Sequence, residues 1–595
     1  MSFSEWPGYR PGHHWKCGDD RTTFSRPLGV LEQRFDIAST QKGQSDTFVR
    51  LNLDLEACGS NEEQILRFVF RLIIAWSRLR SRHPLLGATI DDETTTVIPG
   101  CPARRFNYKP PDWASEAIDQ ALNTLLVDQT DDLRSRMDAI QDTYILNGDR
   151  VLLSQSECLA RLILVEDQLS NGKFGFFLVI SHVISDGISV FKLVAELFEI
   201  ASTIVLPSSP PDLSPLSLDH FLKGTRCQPA AISADLEALL PTPLSESETF
   251  ALLPLALEDH LPRLPLASTP SLPPIQPIEA PKDTHAQTPV PPPSTSLPRK
   301  RWIWAITRTI ILARHRKTPH SLYIPRISST PPPTQAKTRW EFLRFSKENS
   351  SKLFRFSKSQ GLSPSMLLYA MLATSTANLF ATLYPSHPYR PILVGFPFSA
   401  RRFLEKVFSP SSDPSSDLAI RITFGSIHLP NLPLDATSES SAIVRSAIAR
   451  TARLAKKQFE RKLAPDHTSR TVFLANSDFL NIDRLLTRYK LSPPPWEDPK
   501  TCINASMIGD VDRILPTSFR VPSEYYTITL SDLQIGTRLH LGEGNFNEGF
   551  TWDGMLQFCM GIDDQFIKTE YVEAILEGMR KIGLAIGAGE EGEQS

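Results

Sequence analysis

The sequence predicts an α/β protein of two subdomains, each a mixed sheet with helices, joined by a long, disordered, Pro-rich insertion. Three observations carry that reading. Segments with helical spacing of apolar residues alternate with short β-branched and aromatic runs on both sides of the midpoint. About half of the 49 prolines fall between Leu206 and Pro333, with PPP runs at 291 and 331. The 595 residues are 41% hydrophobic and 22% charged, globular values at a length that calls for more than one core. The expected boundaries are therefore 1–202, 203–335 and 336–595.

From Asn61, NEEQILRFVFRLIIAWSRLRSRHP places Ile65, Phe68, Val69, Leu72, Ile73 and Trp76 on one helical face, and Pro84 stops the helix. A short strand is expected over 85–90, a helix over 113–126, and strands over 158–165 and 174–180. The polar turn Ser170-Asn171-Gly172-Lys173 makes the last two a hairpin. SHVISDG follows, then a helix with Ile188, Phe191, Val194, Ala195 and Phe198 on its apolar face. The 203–335 stretch is too rich in Pro, Ser and Thr to bury much surface. Its segment 299–317, RKRWIWAITRTIILARHRK, has the length of a helix that docks on the protein, with weak membrane-surface contact as the alternative. Beyond it a strand is expected over 339–345, a polar helix over 347–360 and an apolar helix over 364–380 with Ser363 as its N-cap. Strands over 392–398, 419–427, 502–506, 525–530 and 537–541 and helices over 442–461 and 569–582 complete the pattern.

Composition removes several function classes. With 63 basic and 66 acidic residues and a net charge of -3, no nucleic-acid partner is expected. The seven cysteines are scattered without a C-x-x-C pair, which argues against a disulfide framework or thiolate zinc site and for a reducing, cytoplasmic setting. Met1 to Asp20 lacks an apolar signal region, and no apolar run reads as a bilayer span. His13, His14 and Cys17 are read as incidental, so no metal is expected. G-x-S-x-G, P-loop, H-E-x-x-H and EF-hand patterns are missing, and Gly542-Glu543-Gly544-Asn545-Phe546-Asn547 fails the dinucleotide fingerprint at its last position.

Chemistry concentrates at His182-Val183-Ile184-Ser185-Asp186-Gly187. A histidine at a strand end offers a near-neutral base, and Gly187 is read as a structural turn into the helix. Asp186 is suited to capping that helix or holding a buried arginine. An ordinary core histidine beside an Asp-Gly turn is the plain alternative.

H-x-x-x-D-G after an apolar strand resembles the signature of the chloramphenicol-acetyltransferase-like superfamily, which includes BAHD acyltransferases, fungal alcohol acetyltransferases and peptide-synthetase condensation domains. Other segments are similar in the same order: Arg82-His83-Pro84-Leu85-Leu86, GLSPSMLLYAMLA at 361, Pro397-Phe398-Ser399-Ala400-Arg401-Arg402, Ser506-Met507-Ile508-Gly509, and the C-terminal run with Trp552-Asp553-Gly554. The resemblance covers about 60–200 and 336–582 and leaves the Pro-rich middle unmatched. Ser181 stands where condensation domains carry a first histidine, Met507 where the family often has Asn, and the plant-type D-F-G-W-G element is replaced by Gly549-Phe550-Thr551-Trp552-Asp553-Gly554. A fungal-type alcohol O-acetyltransferase is the nearest likeness.

The resemblance implies two chloramphenicol-acetyltransferase-like subdomains with the active site in a channel between them, and transfer of an acyl group from acyl-CoA, with acetyl-CoA first, to a hydroxyl of a small metabolite or lipid-like alcohol. His182 would be the general base, Asp186 and Gly187 structural, and Arg401 the partner of Asp186, with Arg402 in reserve. No permanently bound cofactor and a monomeric state are expected. Arg453, Lys456, Lys457 and Arg461 are read as a solvated helix face rather than a coenzyme A site. A non-catalytic binding protein of the same fold, or a stand-alone condensation-type enzyme forming an amide or ester, is the alternative.

Overall fold

A computed structural model describes residues 14–260 and 324–588, less the segments 57–61, 93–103, 208–215, 228–233, 328–335, 386–390, 405–416, 464–502 and 540–544 and the single residues 21, 41, 171 and 326. Three sheets organise it. From edge to edge, a six-stranded sheet runs Ser518–Val521, Tyr526–Thr537, Thr47–Glu56, Lys173–Ile180, Ala160–Asp167 and Leu125–Thr130. A seven-stranded sheet runs Ile422–Leu429, Ile392–Ser399, Ile503–Asp510, Asn545–Trp552, Met555–Asp563, Ala336–Arg344 and Asn147–Gly148. The third has four short strands, Lys16–Cys17, Phe24–Pro27, Arg104–Tyr108 and Thr89–Asp92. Helices pack against the sheets, and the fold class expected from the sequence holds.

Most elements follow their local signals. The helix Glu62–Arg82 buries Phe68, Leu72, Ile73 and Trp76, and the hairpin of Ala160–Asp167 with Lys173–Ile180 pairs antiparallel as its turn demands. Three expectations differ. Residues 85–90 form the 3-10 turn Pro84–Gly87 before a strand at Thr89–Asp92, because the turn buries Leu85 and Leu86 against the core. The helix expected over 113–126 stops at Leu122, and Leu125–Thr130 is a strand. Thr124 accepts the Trp76 indole at 2.9 Å and turns the chain. The strands expected over 525–530 and 537–541 are one strand, Tyr526–Thr537, kept in register with Thr47–Glu56 by a bulge between Ser531 and Gln534.

That strand corrects the boundary at 336, since Tyr526–Thr537 comes from the last part of the chain and pairs with Thr47–Glu56 in the first sheet. Conversely, Asn147–Gly148 adds to the edge of the second. The Trp340 indole donates to the Thr537 carbonyl at 2.9 Å where the two sheets meet. A buried indole needs that acceptor, so the crossing is fixed by a hydrogen bond as well as by packing.

The insertion also differs from expectation. Leu216, Leu218, Leu236, Leu240, Leu253 and Leu257 are buried, and Ser217 and Ser245 cap short helices Leu218–Leu222 and Glu246–Leu252. Pro254 offers its carbonyl to the Trp15 indole at 2.8 Å and to Arg26 at 3.2 Å. Regular leucine spacing between the prolines outweighs the composition here. Residues 261–323, with the 299–317 helix and its membrane alternative, lie outside the described residues, as does His13.

The helix Pro364–Leu383 is long and apolar enough to cross a membrane, contrary to the reading that no such run exists. It is the central helix of the second core, mostly buried against Ser441–Leu463 and Thr569–Ala588. A side chain at Gly578 would meet Ser375 at 3.0 Å, so a glycine lets these two helices approach. Ser363 caps the helix by accepting from the Met366 amide.

Candidate active site

The loop that carries His182 is built by its neighbours. The Ser181 amide donates to the Leu159 carbonyl at 2.8 Å, ending the ladder, and the Ser185 hydroxyl returns to the Ser181 carbonyl at 3.1 Å. Val183 and Ile184 are fully buried anchors, which leaves the imidazole half-buried beside the core. The Phe35 ring stacks on it, centroids 4.1 Å apart and planes at 17°. Phe35 lies on the helix Val30–Thr40, an element the sequence reading did not find because its apolar face is short. Arg34 of that helix sits 4.9 Å from the Phe424 ring on the strand Ile422–Leu429, so residues of the second sheet close over the same place.

Burial lowers the His182 pKa below the usual imidazole value, and the Arg34 charge acts in the same direction. The Asp186 charge and the carbonyls of His182 and Ser185 oppose this without reversing it. Nδ1 is buried and makes no hydrogen bond of ordinary geometry. A neutral ring at neutral pH, with Nε2 as the nitrogen that is not sealed, is the state a general base needs.

Asp186 makes both contacts open to it. Oδ1 accepts from the Ser189 amide at 3.0 Å in a reciprocal capping box at the start of the helix Gly187–Thr203. Oδ2 accepts from Arg401 Nη1 at 2.5 Å and from the Arg421 amide at 2.9 Å. Burial alone would raise this carboxyl, but the Arg401 charge and these hydrogen bonds hold it below the ordinary carboxylate range. Arg402 is exposed and is not the partner. Arg421 was missed by sequence reasoning, although an arginine inside the apolar run 419–427 was a usable signal. Fully buried, it bonds Asp417, the Leu255 carbonyl at 2.8 Å and His260 Nε2 at 3.4 Å. The insertion is thus tied to the carboxyl that shapes the His182 loop.

Gly187 does not have the expected role. Its φ lies outside the left-handed region, and a Cβ there would meet only Ile508, at an ordinary 3.7 Å. The turn is made by Asp186 and Ser189. Ser506, Met507 and Ile508 divide by face: Met507 packs in the second core, against Gly549 and Leu368, while Ile508 packs with the first. His83 and Arg82 pair with Glu196 at 2.8 and 3.0 Å and tie two helices together. On the basic helix, Arg453 bonds Gln360 and Lys456 the Gly361 carbonyl. Among the described residues no group of three or more His, Cys, Asp and Glu is placed to hold a metal.

With this geometry in view, the solved structures place the fold. Trichothecene 15-O-acetyltransferase TRI3 from Fusarium sporotrichioides superposes with a TM-score of 0.67 over 98% of this chain and all of that one, at 13% identity. The chain shares the fold of that enzyme. The condensation domain of the monacolin K polyketide synthase MokA aligns at a TM-score of 0.49, with 10% identity over 94% of this chain and 97% of that one. The epimerization domain of the third module of tyrocidine synthetase B aligns at 0.49, with 12% identity over 95% and 97%. No family model matches the chain, and no curated protein matches its sequence.

Proposed function

We propose that the chain is an O-acyltransferase that moves an acetyl group from acetyl-CoA to a hydroxyl of a small metabolite or lipid-like alcohol. The observation that carries the reading is His182, a half-buried imidazole with a lowered pKa, held at the junction of the two sheets by a loop whose Asp186 is locked to Arg401. The acetyl group and oxygen acceptor follow the activity of the Fusarium enzyme of like fold.

His182 takes the proton of the acceptor hydroxyl as that oxygen attacks the thioester carbonyl carbon. The tetrahedral oxyanion collapses, the carbon–sulfur bond breaks, and the imidazolium returns its proton to the departing coenzyme A thiolate. No serine stands in a nucleophile elbow and no cysteine in the H-x-x-x-D-G loop, so transfer is direct, in a complex of both substrates. Base catalysis of this kind is worth about a hundredfold to ten-thousandfold, and positioning supplies much of the rest.

The test compares metabolites of cells with and without the gene by mass spectrometry. An acetate ester that vanishes while its free alcohol accumulates is the expected result; unchanged esters and acetyl-CoA turnover would contradict the reading. A monomer in the cytoplasm belongs to this proposal.

A further inference from the structure

The strand Asn545–Trp552 sends alternate side chains to opposite faces. Phe550 and Trp552 join the first core, whereas Gly549 faces Met507 and Leu368 of the second. Glu548 shares the side of Phe550, on the junction between the sheets. It is 4% exposed, and no hydrogen bond or ion pair reaches its carboxyl from the described residues. Burial pushes its pKa up to about 8, so the group is neutral at neutral pH.

A cavity of about 210 Å³ opens on this face, with Arg344, Asp532, Gln534, Phe550, Gln557 and Cys559 in its wall; Glu548 is not itself in the wall but neighbours two residues that are. Cys559 is directly opposite Glu548 across the antiparallel pair, and Phe550 is two residues along on the same face. Arg344 pairs with Asp532 at 2.9 Å and donates to Gln557 Oε1 at 3.2 Å, which leaves the buried Gln557 Nε2 without a partner. Among the described residues the Glu548 carboxyl and Gln557 Nε2 make no hydrogen bond on this face, Gln534 adds its amide to the cavity wall, and the charges of Arg344 and Asp532 pair with each other. A buried hydrogen-bonding group without a partner destabilises the fold, and a bound ligand that pairs with it removes that cost. Asp532 has a φ of 52° within the bulge of its strand, a strained backbone at the cavity wall.

We infer that Glu548 is a specificity residue that hydrogen-bonds the acceptor, and that the cavity beside it takes a neutral alcohol carrying a second oxygen function. A protonated carboxyl donates one hydrogen bond and accepts another, which suits a hydroxyl, ether or carbonyl oxygen and not a cation. Naming this ligand the acceptor rests on the acyl-transfer reading above.

Crystals of the full-length protein soaked with cyclohexane-1,2-diol, with cyclohexanol as control, test the site without turnover. The diol should bind with an oxygen at hydrogen-bond distance from Glu548, persist in Glu548→Gln and be lost from Glu548→Leu. A diol seated equally in Glu548→Leu, or none at Glu548 in the wild type, overturns the inference. Acetyl transfer from acetyl-CoA to cyclic terpenoid diols and their matched mono-alcohols gives the second readout. Glu548→Leu should lose about tenfold in kcat/KM for the diol with the acetyl-CoA KM unchanged, and Glu548→Gln should recover most of it. A retained preference for the diol in Glu548→Leu again overturns the inference. Transfer to no alcohol by the wild type overturns the acyl-transfer reading instead, and the soak still decides for Glu548.

Discussion

Asp186 and Glu548 are both carboxyls buried at the junction of the two sheets, at 2% and 4% exposure, and their surroundings give them opposite charge states. Asp186 receives hydrogen bonds from Arg401, the Arg421 amide and the Ser189 amide, so it is ionised and its loop is fixed. Glu548 receives none from the described residues and stays neutral. Equal burial therefore separates two uses of one functional group: a saturated carboxylate builds the site, whereas an unsaturated acid is available to a ligand.

The largest effect should come from breaking the saturated side at its far end. Replacing 228–298 with a short Gly-Ser linker removes Leu236, Leu240, Leu253 and Leu257 from the core and the Leu255 carbonyl from Arg421. Each buried leucine is worth about 2 to 5 kcal/mol, so soluble folded protein should be lost. Soluble, folded protein after that replacement would show that the leucines do not hold the segment.

Next in size is Asp186→Asn, which leaves Arg401 buried without its counter-charge and should cost about 3 to 5 kcal/mol of unfolding free energy in denaturant titration. An unchanged midpoint would mean that the pair is not needed by the loop.

Glu548→Gln should act in the opposite direction. In the unfolded chain this carboxyl ionises near 4.5, and in the folded protein only near 8. The stability from its protonated form is thus complete below pH 4.5 and is lost as pH rises toward 8. The glutamine variant should match the wild type at pH 4.5 and exceed it by about 3 to 5 kcal/mol at pH 8. Parallel stability curves from pH 4.5 to 8 would place a counter-charge beside Glu548 and end the comparison. Gly187→Ala should have the smallest effect, a stability gain of up to about 1 kcal/mol, since the position is helical and the methyl has room. A loss in thermal unfolding would restore the turn role.

Much of this was legible in the sequence where the signal is local. The run at Ile65 to Trp76, the hairpin about Gly172 and the H-x-x-x-D-G segment each combine a period with a turn residue, and the structure puts elements there. The crossing of Tyr526–Thr537 into the first sheet was not legible, because strand pairing between positions almost 480 residues apart leaves no local periodicity. Proline content hid the leucines of the insertion. At the site, the lone arginine in an apolar strand that becomes Arg421 was a signal left unused, and the stacking of Phe35 on His182 depends on a helix of weak pattern. Glu548 looked like any charged residue near a glycine; only its burial shows it to be unusual.

The central claim is that His182 is the base in direct acetyl transfer, and turnover of His182→Ala with acetyl-CoA and the identified alcohol tests it most directly. The account predicts a kcat lower by about two to four orders of magnitude at an unchanged melting temperature, because a half-buried ring supplies base catalysis and little packing. In the wild type, the acid limb of the kcat/KM profile should fall below the usual histidine pKa, since protonation of the lowered imidazole removes activity only there. A folded His182→Ala protein with wild-type kcat would contradict the account.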